Sequence, residues 1–492
     1  YMADIRKIFY PESIAVVGAT ENLFKWGSYI FTNIIAGGFQ GKVYPVAKKK
    51  ETVYGHRAYG SVAEIQDPVD LVFITTPAAS VMGVLADCVA KGVKNVVMIT
   101  SGFSETGEEG KRLEEEMVSF ARANGINVVG PNTMGIVNTA VGLYATGSQV
   151  RAPRGGISII AQSGNVGNQI MEWAEQQNIG VGKFVGSGNE GVIGCEDYIG
   201  YFGDDADTTV VLMYIEGVDD GRRFMDSARG ASMRKPVIAL KAGRTEIGSR
   251  AAASHTGAMA GSFKTYESAL RQSGVILVKA PTELLTISSA FDSMPLPKGN
   301  RVGVVTLGGG WGVITADECE ERGLTLPPLP ADVFAKLDAM LPPFWSRGNP
   351  VDLVGQPSME LFLESMNSMV SSDAYDAVIL LGMVGAGKFV LRIHESAARM
   401  GYYSYDKLGE LQQLFAERQA NFLDNIIELM EKYDKPIYPV ALISSPGDEM
   451  IHYKDGSRYK AIIYKTPEEA VFCLEKQYEY YRYRSRRATE RQ

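Results

Sequence analysis

The sequence predicts an α/β protein built from three doubly wound units in a row, each a parallel sheet covered by helices on both faces. Three observations carry this. Apolar, β-rich runs alternate with amphipathic helical stretches almost throughout. The 492 residues correspond to about three domains at roughly 150 residues each. The second and third portions of the chain also resemble one another segment by segment, as a duplicated open sheet would.

In the first unit, residues 1–145, the runs Ser13–Thr20, Val43–Ala47, Val69–Pro77, Asn95–Ser101 and Asn127–Asn132 read as strands. Each is short, rich in apolar residues and closed by Gly, Pro or polar residues. Helices fill the gaps. Glu108–Asn124 has acids in its first turns and Arg122 near its end, the signs that a helix dipole favours. The Pro/Arg/Gly segment Arg151–Gly156 opens a second unit, residues 150–294, and Pro295–Asn300 opens a third, residues 298–480. Gly155–Gly180 parallels Asn300–Leu324, each being strand, Gly-rich turn and helix. TVVLMYIEG likewise parallels AVILLGMVG, KPVIALKAG parallels KPIYPVALI, and VILVKAPTELL parallels AIIYKTPEEAV. The copies differ after their fourth strand, where about 31 residues separate Gly243 from Val275 but about 15 separate Ser445 from Ala461. The excess, RTEIGSRAAASHTGAMAGSF, is rich in small residues and carries one histidine. Solvent loops accept insertions at little cost, but small residues around a single histidine also suit a loop that packs into a site.

Composition narrows the function classes. With 45% hydrophobic and 22% charged residues the chain is globular rather than disordered. A net charge of −8 argues against broad nucleic-acid binding and confines any phosphate site to a local pocket. No apolar run reaches the ~18 residues that cross a bilayer, and the chain opens without a hydrophobic signal core, so a cytoplasmic location is expected. Cys88, Cys195, Cys319 and Cys473 lie far apart with no metal-ligand spacing. They are expected to be reduced, mostly buried thiols, and no metal site is expected.

The 53 glycines follow no fibrous period, which directs attention to particular turns. These fall at the carboxyl ends of strands, where an open parallel sheet takes its ligand. Gly18-Ala19-Thr20 follows the strand IAVV at a strand-to-helix crossing, where backbone N–H groups can receive a phosphate. It lacks the full GxGxxG, and a tight turn is an equally good reason for Gly18. Lys48, Thr76-Pro77, Ser101-Gly102 and Asn132 follow the other strands. Gln162-Ser163-Gly164-Asn165 and Leu307-Gly308-Gly309-Gly310 each begin a helix directly after a buried strand and so expose unpaired N–H donors. Close packing of helix on strand is the alternative reason for those glycines.

His255 stands among small residues in Ser254-His255-Thr256-Gly257, whereas His56, His394 and His452 have charged or bulky neighbours. A neutral imidazole nitrogen can attack a phosphoryl group, and the phosphoramidate keeps high transfer potential. Such a dianion needs dipoles around it, and the ring needs a carboxylate to orient it. Glu216, at the end of VVLMYIEG, stands at the functional edge of the same sheet. Without the histidine loop it would read as a strand-end surface acid.

The order GATE, VYPVAKK, TSGFSE, GPNTMGI, AQSGNVG, SGNE, YIEG and SHTGA resembles the α-subunit of nucleoside-diphosphate-forming acyl-CoA synthetases, the ADP-forming acetyl-CoA and succinyl-CoA synthetases. GGGWGV and GNPVDLVG resemble the additional domain of the acetyl-CoA branch. The resemblance implies a Rossmann-like CoA-binding domain followed by two flavodoxin-like domains of CoA-ligase type. It makes Gly18, Ala19, Thr20, Lys25, Lys48, Thr76, Pro77, Ser101, Gly102 and Asn132 candidates for CoA contacts. It implies that His255 is the phosphorylated histidine and Glu216 its partner acid, with Ser163, Gly164 and Asn165 at the helix start that receives the phosphate. It further implies that acyl-CoA, phosphate and ADP yield carboxylic acid, CoA and ATP through an acyl phosphate. No ATP-grasp segment is recognisable, so a separate ATP-grasp β-subunit carrying ADP/ATP and Mg2+ is expected, in a hetero-oligomer.

The chain departs from the family where Ala47-Lys48-Lys49 replaces Asn-Pro-Lys and where Trp311 replaces a small residue. Trp311, Phe344 and Trp345 read either as walls of an acyl pocket or as core. A rival function is a CoA- or acyl-CoA-sensing regulatory protein without catalysis, but a sensor would need neither SHTGA nor Glu216. A Rossmann dehydrogenase fits less well, because no glycine fingerprint is followed by an acid at ribose distance. The segment from Gly385 to Asp434 yields no functional reading.

Overall fold

A parallel strand covered on both faces needs apolar side chains pointing both ways, and Ser13–Val17 (β1) is buried at every position. The computed structural model describes residues 5–250, 263–355, 358–441, 443–445 and 447–490. β1 pairs in parallel with Lys42–Val46 (β2) and Leu71–Ile74 (β3). Asn95–Met98 (β4) and Asn127–Val129 (β5) continue the sheet beyond β3. The order β2-β1-β3-β4-β5 reverses between β1 and β3, and that reversal opens a crevice at their carboxyl ends. Most of these strands stop about three residues before the expected end, because the residues beyond are the turns that line the crevice. Trp26–Ala36 (α1) follows β1, and Glu108–Ala123 (α2) lies between β4 and β5.

Gly135–Asn138 (β6) and Leu143–Thr146 (β7) belong to a different sheet. β6 pairs antiparallel with Val181–Gly186 (β9) and with β7. Between these and the far edge run Arg154–Ala161 (β8), Val210–Ile215 (β10), Val237–Lys241 (β11) and Ile276–Val278 (β12), in the order β12-β11-β10-β8-β9-β6-β7. Residues that the sequence reading placed with the first unit thus complete the second sheet. Both sheets lie in one compact body that extends to Ser288. They share a core in which Ile14 and Phe73 of the first sheet join the same apolar cluster as Ile160 and Val211 of the second. The helices Gly164–Gln176 (α3) and Cys195–Asp204 (α4) follow β8 and β9.

The body from Ser289 onward repeats the plan. Val302–Thr306 (β13), Val351–Asp352 (β14), Ala377–Leu381 (β15) and Ile437–Val440 (β16) form an all-parallel sheet in the order β14-β13-β15-β16. Gly309–Glu321 (α6) follows β13, and Ala386–Arg399 (α7) and Tyr405–Tyr433 (α8) fill the segment between β15 and β16. The match between KAPTE and KTPEE reappears as geometry. Pro281–Ser293 (α5) and Pro467–Thr489 (α9) both open on proline. In each, a glutamate reaches back to an amide before the helix, Glu283 to Lys279 N–H at 2.6 Å and Glu469 to Lys465 N–H at 3.1 Å. All four cysteines are free and buried. No helix among the described residues is long and apolar enough to cross a membrane.

Candidate functional site

At the first crevice, Gly18 has φ +91°, and a Cβ there would stand 2.6 Å from Thr75 Oγ1 and 3.0 Å from Thr76 Cγ2. A Cβ on Gly27, in the first turn of α1, would fall 1.9 Å from the Gly18 carbonyl oxygen. Glycine at both positions therefore lets the helix start press onto the turn. The Gly18 amide donates to Val46 O at 3.0 Å, so Gly18 supplies closeness rather than a donor. The amides of Ala19 and Thr20 meet no acceptor among the described residues and remain available to an anion. Lys25 is the exposed N-cap residue of α1. Lys50 pairs with Glu21 at 2.6 Å, whereas Lys48 is exposed and has no carboxylate partner among the described residues.

Thr76 is half-buried and Pro77 exposed beyond β3. Ser101 is exposed beyond β4, while the Gly102 amide is taken by Glu105 Oε1 at 2.6 Å. Asn132, exposed beyond β5, holds φ +58°, and its amide donates to Thr100 O at 2.9 Å. The sequence-derived residues of the first unit thus gather at one sheet edge.

The second sheet builds a polar cluster at the carboxyl ends of β8, β9 and β10. Ser163 is the N-cap of α3 and its side chain caps no amide, so the first-turn donors at Gly164 and Asn165 are left without a capping side chain. The preceding residue, Gln162, ties this helix start to the next strand. Its Oε1 accepts the N–H groups of Glu216 (2.5 Å) and Gly217 (3.1 Å), and its Nε2 donates to Gly217 O at 2.9 Å. The Tyr214 hydroxyl donates to the half-buried Glu216 carboxylate at 3.3 Å, and the buried Lys241 ammonium donates to the Glu216 carbonyl at 2.8 Å. Burial lowers the Lys241 pKa, and the Glu216 charge opposes that shift.

Sequence reasoning placed Gln162, Lys241 and Glu190 inside quoted segments, Gln162 in the α3 turn, Glu190 in SGNE and Lys241 in KPVIALKAG, but gave none of the three side chains a role of its own. Glu190 sits beyond β9 at φ +57°, a left-handed conformation uncommon outside glycine and most often kept at functional sites. Its carboxylate accepts from the Ser187 hydroxyl at 2.6 Å and the Cys195 N–H at 3.1 Å, and Gln162 also donates to it. Burial pushes its carboxyl up to about 7 and the Glu196 charge adds to the shift, while those hydrogen bonds oppose it. An acid at a strand's carboxyl end on the same edge as Glu216 was the available signal. Its neighbour Asn189 donates to Glu105 (2.7 Å), which precedes α2, and to Glu114 (2.9 Å) on α2. His255 lies outside the described residues.

The corresponding helix start in the other body differs. Gly308 is the N-cap of α6, but a Cβ on Gly309 would stand 2.8 Å from Asp352 Oδ2, so a carboxylate already faces this start. Trp345 is core: it is buried, packs against Phe334 and donates its indole N–H to Asp338 at 2.9 Å. Phe344 is exposed. Trp311 lines a cavity.

A dinucleotide-type crevice joined to a helix start that can receive an anion beside a carboxylate defines a CoA-ligase type of α/β protein. Family profiles agree: a CoA binding domain matches residues 12–139, a succinyl-CoA ligase like flavodoxin domain residues 154–291, and a ligase-CoA domain residues 302–384. The chain is 44% identical to the acetate–CoA ligase [ADP-forming] II subunit alpha of Pyrococcus furiosus, over 76% of this chain and 82% of that one. It is 40% identical to the acetate–CoA ligase [ADP-forming] of Methanocaldococcus jannaschii, over 73% of this chain but 50% of that one. Among solved structures, the dinucleotide forming acetyl-coenzyme A synthetase 1 of Ca. Korarchaeum cryptofilum, in complex with phosphate and ADP, superposes with a TM-score of 0.85 at 32% identity, covering 99% of both chains. The chain belongs to the ADP-forming acetate–CoA ligase family, with its α-subunits, and is by class an acid–thiol ligase.

Proposed function

We propose that this chain binds CoA and carries the phosphohistidine of an ADP-forming acyl-CoA synthetase, working with an ATP-grasp partner subunit. CoA lies along the first crevice, its phosphates near the Ala19 and Thr20 amides with Lys25 and Lys48, and its pantetheine arm passing Thr76, Pro77, Ser101, Gly102 and Asn132. A phosphate oxygen attacks the thioester carbonyl, the C–S bond breaks, and CoA leaves as thiolate with an acyl phosphate remaining. An imidazole nitrogen of His255 then attacks phosphorus and releases the carboxylate. Glu216 accepts the other ring N–H and so stabilises the positive charge that develops there. Attack by ADP on the phosphohistidine yields ATP and returns the ring.

The observation that carries this reading is the uncapped start of α3 at Ser163, held through Gln162 to the strand end that bears Glu216. Fixed N–H donors there suit a phosphoryl dianion throughout transfer. ADP/ATP and Mg2+ are assigned to the partner. That assignment is supported by relatives named as an alpha subunit in one organism and, at twice the matched length, as a ligase without subunit designation in another.

The test is to incubate the protein with acyl-CoA and radiolabelled phosphate. Acid-labile, base-stable label is expected in the wild type and none in His255→Ala. Equal labelling of both would remove His255 from the mechanism.

A further inference from the structure

The proposed chemistry leaves Glu190 unused, although the fold holds this residue under several constraints at once. Its backbone stands at φ +57°, a conformation that costs a residue with a side chain. Three neutral donors from three elements converge on its carboxylate. The Ser187 hydroxyl, just beyond β9, donates to Oε1 at 2.6 Å, and the Cys195 N–H in the first turn of α4 donates to Oε2 at 3.1 Å. The third is the side-chain amide of Gln162, before α3.

No Lys, Arg or His pairs with Glu190 among the described residues. The titratable groups packed around it are Cys195 and Tyr198 of α4, which burial keeps protonated, and Glu196 and Asp197, both paired with Arg223. Beyond Gln162 stand Glu216, Tyr214 and Lys241, and the adjacent Asn189 binds Glu105 and Glu114. An ionised carboxyl in this setting costs stability, which is why its pKa rises to about 7. Packing alone would favour a neutral residue here, and an acid kept in such a place marks a functional site.

The link to function runs through Gln162, whose amide can serve this site in only one orientation. Its Oε1 accepts from the Glu216 and Gly217 N–H groups, and its Nε2 donates to Gly217 O and to Glu190. The reverse orientation would set an NH2 group against two N–H donors. An ionised Glu190 only accepts, so it draws Nε2 toward itself and fixes the productive orientation. A protonated Glu190 accepts more weakly and adds a competing O–H donor.

We propose that Glu190 is a positioning residue for phosphoryl transfer: as a carboxylate it holds the Gln162 amide in the orientation that ties the start of α3 to the strand end bearing Glu216. It acts through Gln162 rather than on a reacting atom. The kinetic consequence rests on the proposed synthetase function; the orientation of Gln162 needs no catalysis.

The first measurement is the rate of His255 labelling from acyl-CoA and radiolabelled phosphate in wild type and Glu190→Gln, across pH 5.5 to 8.5. Glutamine mimics the neutral acid, so the two rates should agree at the acid end. The ratio of wild type to variant should then rise through about pH 7 to about tenfold or more. Taking the ratio cancels the titration of phosphate and of the histidine, which both proteins share. A residue that served folding alone would not produce it, because Glu190→Gln is expected to be the more stable protein at high pH. In a Gln162→Ala background the Glu190→Gln exchange should have no further effect. A ratio that does not change with pH, or an undiminished effect in the Gln162→Ala background, overturns the inference.

The second measurement uses protein labelled with 15N-glutamine, in which the side-chain resonance of Gln162 is assigned by its absence from Gln162→Ala. It should shift with a midpoint near pH 7 in wild type and not in Glu190→Gln. Such a shift in a protein that acyl-CoA and phosphate never label would sink the synthetase reading alone. Labelling without the shift would sink this inference alone.

Discussion

The helices α3 and α6 begin in the same way, directly after the first strand of duplicated sheets and on glycine-rich turns, yet their surroundings have opposite chemistry. At α3 the strand ends supply Gln162, Glu190, Glu216 and Lys241, a hydrogen-bonded polar cluster around uncapped amides. At α6 a strand end supplies an acid already facing the helix start, Asp352, and the helices α6 and α7 add Trp311 and Phe389, which line an apolar cavity. Duplication preserved the backbone that makes a ligand edge. The side chains at the strand ends then decided whether that edge favours a phosphoryl group or an apolar body. A Gly-rich turn before a helix is thus a position for function, and its neighbours assign the chemistry.

Three substitutions sharpen this contrast. The largest effect is expected at Glu190, whose carboxyl is raised to about 7 from an ordinary 4.5. Below the ordinary value the group is protonated in both folded and unfolded chains. Between there and about pH 7 the unfolded chain gives up the proton first, so stability falls, by up to about 3 kcal/mol, and then levels off. Glu190→Gln should therefore gain up to about 3 kcal/mol at pH 8 and almost nothing at pH 4 in chemical denaturation. A gain that is the same at both pH values would contradict the raised pKa.

Next comes Gln162→Ala, which deprives the Glu216 and Gly217 amides of their acceptor. Stability should drop by about 1–2 kcal/mol. Histidine phosphorylation should fall by a larger factor than CoA affinity, because the α3 start loses its tie to Glu216 while the first crevice is untouched. Calorimetry with CoA alongside the labelling assay reads both quantities. The smallest effect is expected for Asp352→Asn, which removes a favourable charge at the start of α6. It should cost about 0.5–1 kcal/mol in stability and leave histidine labelling unchanged. Reduced labelling there would mean that α6 shares the phosphate chemistry.

Much of this was legible in the sequence for identifiable reasons. Strands such as Ser13–Val17 are buried on both faces and so read as continuous apolar runs, and the turns after them carry the glycines that close approach requires. The KAPTE and KTPEE match was visible because capping is a local interaction. β6 and β7 were not legible as part of the second sheet, because pairing with β9 is a long-range choice that no local pattern encodes. Glu190 was hidden by its setting, since an acid in a glycine-rich turn looks solvated until packing buries its carboxyl. Of the cavity only Trp311 was legible, read as a pocket wall or as core, because Phe389 and Phe415 look like ordinary core positions on amphipathic helices. Only their placement beside β13 and β15 leaves them lining an opening.

The measurement that bears most directly on the central claim is phosphate labelling of two matched variants, Asn165→Asp at the start of α3 and Gly310→Asp at the start of α6. Each adds one carboxylate to a first helical turn, where it suits the dipole and preserves folding, but only the first should repel an incoming phosphoryl dianion. The expected result is a loss of histidine labelling of about a hundredfold or more in Asn165→Asp, with thermal stability kept, and near wild-type labelling in Gly310→Asp. Undiminished labelling in Asn165→Asp would contradict the assignment of the α3 start as the phosphate receiver.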